Sequence, residues 1–96
     1  MKTFKEIMDA LQGKKKSLFE RYPIESLAVF GSFSREEQTE LSDIDLLVEF
    51  NSKIGSQFID LADELESFLG VKVDLVSRKG IKDKYFNIIK NELKYV

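Results

Sequence analysis

"GSFSREEQTELSDIDLLVEF", residues 31–50, decides how the rest of the chain is read. Its second half, "DIDLLVEF" over 43–50, is apolar enough for a buried strand, yet aspartates stand at its first and third positions. Aspartate is among the poorest strand formers. Side chains alternate along a strand, so Asp43 and Asp45 leave one face about 7 Å apart at the backbone, while Ile44 and Leu46 point the other way. Upstream, "SLAVFGS" (26–32) is a short, continuous apolar run closed by Gly31 and Ser32, which suits a buried strand that ends at Phe30 and enters a tight turn. The polar link "SREEQTEL" reads as a short helix or a loop.

Downstream, "NSKIGS" reads as a turn. Phe58, Ile59, Leu61, Ala62, Leu65, Phe68 and Leu69 then form an apolar helical stripe that stops at Gly70, a natural left-handed cap. "VKVDLV" (71–76) is a third strand, in which Val71, Val73 and Leu75 share one face and Asp74 falls on the other. After the turn "SRKG", residues Ile81, Tyr85, Ile88, Ile89 and Leu93 mark a last helix. At the other end, Thr3 and Glu6 form a capping-box pattern. Phe4, Ile7, Met8, Leu11, Leu18, Phe19 and Tyr22 then recur at helical spacing, up to a stop before Pro23. Gly13 is where that helix would break. Lys14, Lys15 and Lys16 read as a solvated face.

The order αβ(α)βαβα predicts an α/β (α+β) fold, with one domain over residues 1–96 and a small mixed three-stranded sheet covered by helices. Crossover helices favour parallel neighbours, but the short link between strands one and two equally allows an antiparallel pair.

Composition narrows the chemistry. With 43% hydrophobic and 33% charged residues and a single proline, the chain has the makeup of a soluble globular domain. Fifteen basic and 17 acidic residues give a net charge of −2, so no positive field gathers nucleic acid in general. There is no cysteine and no histidine, which excludes disulfides, thiolate or imidazole metal sites and imidazole-based hydrolases. No apolar run approaches the roughly 18 residues that span a bilayer, and acids interrupt the N-terminal segment where a signal peptide needs an apolar core. A cytoplasmic location, away from membranes, is expected.

If strands two and three are neighbours, Asp43, Asp45 and Asp74 converge. Taken singly, each acid also fits a turn or an exposed strand end. Two carboxylates about 4 Å apart repel by about 4 kcal/mol at an effective dielectric of 20, a large fraction of a stability of roughly 5–15 kcal/mol. A cluster of three therefore calls for a cation. An all-oxygen donor set favours magnesium or manganese, ions that keep waters and pair with substrate phosphates. Gly31 and Ser32 suit the other half of that chemistry: a glycine turn opening a short helix would aim N–H groups and the Ser32 hydroxyl at a phosphate, with Arg35 one turn further on. A plain tight turn would use the same two residues.

"GSFSR", "SDIDLLVEF" and "VDLV" together resemble the signature of the nucleotidyltransferase superfamily that includes DNA polymerase beta: Gly-Ser, a spacer of about ten residues, Asp-hydrophobic-Asp, and a third acid on a later strand. The small size and the ending "IIKNELKYV" resemble in particular the minimal nucleotidyltransferases, the MNT proteins encoded beside a HEPN-domain partner. The resemblance implies a polymerase beta palm-like fold. It further implies that Asp43 and Asp45 hold two magnesium ions, that Asp74 completes the catalytic site, and that Gly31, Ser32 and Arg35 bind a nucleoside triphosphate, with ATP as substrate. Glu36 stands where many relatives have glycine, which adds negative charge beside the expected phosphates.

The expected activity is therefore nucleotidyl transfer, with AMP from ATP placed on a tyrosine of a HEPN toxin and the chain acting as antitoxin. The alternatives are a non-catalytic antitoxin that neutralises its partner by binding, and a standalone enzyme that adenylylates a small alcohol such as an aminoglycoside. Other uses of paired acids fit less well. No glycine-rich sugar-nucleotide domain is present, the threonine-bearing context of aspartyl-phosphate phosphatases is missing, and Leu47 stands where an EF-hand needs an oxygen ligand.

Overall fold

The computed structural model describes residues 2–96. Helix α1 spans Phe4–Arg21 and opens with the full capping box: Glu6 N–H donates to Thr3 Oγ1 at 3.1 Å and Thr3 N–H to Glu6 Oε1 at 3.0 Å. The helix runs unbroken through Gly13, around which the space is open, so the expected interruption does not occur. Pro23 then forces extended backbone, and β1 (Ile24–Phe30) begins. A short helix, α2 (Gly31–Ser34), and a polar loop lead into β2 (Ile44–Phe50). Helix α3 (Gln57–Leu69) ends at Gly70, whose φ of 71° provides the left-handed cap, and β3 (Val73–Ser77) follows.

The last third departs from expectation. In place of one long helix reaching Leu93 there are α4 (Asp83–Ile89), a 3-10 turn over Lys90–Glu92, and a two-residue strand, β4 (Lys94–Tyr95). The sheet therefore has four strands, not three, in the order β3-β2-β1-β4. β1 pairs antiparallel with β2 and β4, and β2 pairs parallel with β3, so the sheet is mixed. The polar pair Lys94-Tyr95 carries no alternating apolar signal. It joins the sheet because β1 has a free edge, with Val29 opposite Lys94 and Ala28 opposite Tyr95.

Strand alternation gives the sheet two faces. On one, Leu27, Val29, Ile44, Leu46, Val48, Val73 and Leu75 meet Ile7, Leu11 and Leu18 of α1 and Leu61, Leu65 and Leu69 of α3, forming the main core. On the other, Phe30 and Leu47 pack with Ile89 of α4, flanked by Val76, Ile81, Phe86 and Leu93. Helix α4 is thus held by only part of its apolar stripe, and Tyr85 and Ile88 remain exposed. Among the described residues no helix is long and apolar enough to cross a membrane.

Candidate active site

The parallel pairing of β2 with β3 places Asp45 directly opposite Asp74, because Ile44 is in register with Val73 and Leu46 with Leu75. The flanking Ile and Leu residues sink into the main core, and the pleat turns both carboxylates to the second face. Asp43 lies just before β2 rather than within it, and is exposed. Asp45 is half-buried and Asp74 exposed. Burial first, and then the charges of Asp74 and Asp43, push the Asp45 carboxyl up from 3.8 to about 6. Among the described residues, none of these three acids has a lysine or arginine partner within ion-pair distance.

Gly31 is wedged beside this pair. Phe30 lies opposite Asp45 across the β1/β2 ladder, so the next residue must turn at the carboxylate. Gly31 does so with a φ of 74°, and a Cβ at that position would fall inside contact with Asp45 Oδ2 and 3.0 Å from Asp45 Cγ. Only glycine meets both demands. Ser32 is half-buried in α2, and Arg35 caps its C-terminal end with an exposed guanidinium. All six residues singled out in the sequence thus cluster around the junction of β1, α2 and the N-terminal ends of β2 and β3.

Glu92 completes the neighbourhood and was not legible in the sequence. Its Oε1 accepts from Gly31 N–H at 2.9 Å, its Oε2 accepts from Arg35 Nη1 at 2.9 Å, and its backbone carbonyl accepts from the buried Ser34 hydroxyl. Arg35 Nε is held by Glu37 at 2.8 Å. Glu36 adopts a φ of 55°, a left-handed conformation that glycine reaches without strain. Tyr85 on α4 also faces the acids: partial burial, then the charges of Asp45, Asp74 and Glu92, raise its hydroxyl above the usual 10.

The donor set is suited to a hard cation that is shared with a ligand. Asp45 and Asp74 stand side by side with oxygen donors alone and no cationic partner, yet among the described residues no three acids are gathered tightly enough to cage an ion. An ion here would draw its remaining ligands from water and from the phosphates of a substrate.

The comparisons agree with this geometry. The profile of the nucleotidyltransferase domain family matches residues 11–96. A candidate protein adenylyltransferase of Methanocaldococcus jannaschii is 49% identical over 98 residues, with all of both chains covered. The protein adenylyltransferase MntA of Thermococcus cleftensis is 41% identical, over all of this chain and 98% of that one. Among solved structures, a candidate minimal nucleotidyltransferase superposes with a TM-score of 0.74 at 31% identity, over 90% of this chain and 92% of that one. A chain from the complex of the tri-AMPylated Shewanella oneidensis HEPN toxin with its MNT antitoxin gives a TM-score of 0.69 at 23% identity, over 93% of this chain and 70% of that one. With its fold, its glycine turn and its paired aspartates all in place, the chain belongs to the nucleotidyltransferase domain family and is a nucleotidyltransferase of the minimal type.

Proposed function

We propose that this nucleotidyltransferase moves AMP from ATP, with magnesium or manganese, to a tyrosine hydroxyl of a HEPN-domain toxin and so acts as its antitoxin. The observation that carries this reading is the register of Asp45 against Asp74 with Gly31 closed upon Asp45. Acids suited to divalent ions and a turn suited to phosphate are thereby parts of one site. The names borne by the full-length relatives, and the AMPylated toxin found with a protein of the same fold, point to the same reaction.

In this reading Asp43 and Asp45 would hold two divalent ions, with Asp74 completing the set. Bound ions supply positive charge that neutralises the triphosphate and lowers the pKa of the acceptor hydroxyl. Gly31 shapes the turn, its own N–H being held by Glu92, and Ser32 and Arg35 orient the phosphates, Ser32 offering a hydroxyl and Arg35 the N–H groups that Glu37 and Glu92 leave free. The acceptor oxygen forms a bond to the α-phosphorus as the bond from that phosphorus to the pyrophosphate oxygen breaks. The acceptor proton passes to Asp74, the most exposed-facing acid of the strand pair, and pyrophosphate leaves.

The second reading is binding without catalysis, favoured by the negative charge of Glu36, Glu37 and Glu92 around Arg35. Incubating the chain with its HEPN partner, magnesium and ATP labelled at the α-phosphate separates the two. Label on a partner tyrosine supports transfer, whereas a tight complex that stays unlabelled supports binding alone.

A further inference from the structure

We infer that Glu92 is a positioning residue for nucleotide binding: it fixes the Gly31 turn and the Arg35 guanidinium in the arrangement in which Arg35 meets a triphosphate. The inference rests on the adenylyl-transfer reading above. Its basis is a three-point clamp, in which one carboxylate bridges the Gly31 N–H and the Arg35 guanidinium while the same residue's carbonyl takes the Ser34 hydroxyl. The clamp grips α2 at its first residue, its last residue and its cap.

A carboxylate spanning an N–H and a guanidinium could instead be an internal mimic of phosphate that the nucleotide displaces. The surroundings of Glu92 argue for a fixed part. Two residues later the chain enters β4, where Lys94 and Tyr95 pair with β1, and Val96 N–H bonds Leu27 carbonyl at 2.9 Å. Ser34, which holds the Glu92 backbone, is only 8% exposed. Moving the Glu92 backbone would strip a buried hydroxyl of its partner and loosen an edge strand, so the side chain projects from a fixed point, and rotating its carboxylate away would leave the part-buried Gly31 N–H without its acceptor. Two of the five guanidinium N–H groups of Arg35 are engaged, by Glu37 and Glu92, which holds the guanidinium in one orientation and leaves three donors for a ligand. Gly31, gripped by the same carboxylate, is the residue that closes on Asp45, so the clamp also sets the spacing between the phosphate turn and the acids.

The test uses the full chain with its HEPN partner and compares wild type, Glu92→Gln, Glu92→Ala, Arg35→Gln and the Glu92→Gln/Arg35→Gln double variant. Calorimetric titration with magnesium-ATP gives Kd, label transfer gives KM and kcat, and melting gives Tm. Glu92→Gln keeps an oxygen for Gly31 and loses the ion pair with Arg35. It is expected to raise Kd and KM for ATP by roughly tenfold, with a smaller effect on kcat. The double variant is expected to bind ATP no more weakly than Arg35→Gln alone, because Glu92 acts through Arg35. Unchanged or tighter ATP binding by Glu92→Gln overturns the inference, and tighter binding would identify Glu92 as a resident competitor. If Glu92→Ala does not fold, Glu92→Gln still decides. Wild type that binds ATP without labelling its partner removes the transfer reading, while the Kd comparison still judges Glu92. Wild type that does not bind magnesium-ATP overturns both.

Discussion

Gly31 and Asp45 are so closely packed that a single methyl group cannot be placed between them, although Gly31 opens α2 and Asp45 lies in β2, beyond a nine-residue loop. Replacing Gly31 with alanine would impose a left-handed backbone on a residue that resists it by roughly 1–2 kcal/mol, and would also drive its Cβ into the Asp45 carboxylate. Gly31→Ala is expected to lower the urea midpoint and to abolish label transfer. A variant of wild-type stability and activity would show that the turn relaxes freely, and the link between turn and acids would be lost.

Asp45 makes the metal-free protein sensitive to pH. Its carboxyl is raised from 3.8 to about 6, so folding favours the protonated form. The associated stability is fully present below the unfolded value near 3.8 and is lost as pH rises through about 6. Thermal melts in chelator are therefore expected to show Tm falling across that interval, and Asp45→Asn is expected to flatten this fall. The same slope in the asparagine variant would locate the titrating group elsewhere.

Asp43 and Asp74 are exposed and lie outside the main core, so their carboxylates contribute repulsion rather than packing. Asp43→Asn and Asp74→Asn are each expected to abolish transfer while leaving Tm unchanged or higher. Loss of folding in either variant would mark that acid as structural.

Chelation should separate activity from folding. EDTA is expected to stop transfer without changing the far-UV circular dichroism, because the core on the opposite face needs no ion. Added magnesium is expected to raise Tm, the fold gaining about 2.7 kcal/mol of stability at a hundredfold excess over Kd. Asp45→Asn should remove that rise.

Glu64 offers a control remote from the site. It accepts from Arg21 Nη1 at 2.8 Å and from the Tyr22 hydroxyl at 3.0 Å, tying α3 to the end of α1. Glu64→Gln is expected to cost a small amount of Tm and to leave KM for ATP untouched. A change in KM would reveal coupling between the helical layer and the turn.

Much of this could be read from the residues. The stripes on α1 and α3, the cap at Gly70 and the alternation in β2 all follow local periodicity, and the acids announced themselves by standing in an otherwise aliphatic strand. Lys94-Tyr95 and Glu92 could not be read in this way. Their roles come from a free strand edge and from contacts spanning 61 and 58 positions along the chain, which no pattern in a local window encodes. The second face was also harder to anticipate, because α4 buries Ile89 but leaves Tyr85 and Ile88 exposed, so its stripe suggested a longer helix than the chain builds.

The distance in sequence between Gly31 and Glu92 also bears on how the molecule matures. A contact that closes a loop of 61 residues must overcome more chain entropy than the neighbouring β1/β2 hairpin does, so it is expected among the later events of refolding. Helical signal should return first, and competence for ATP should lag behind it, making nucleotide binding a reporter of the finished fold.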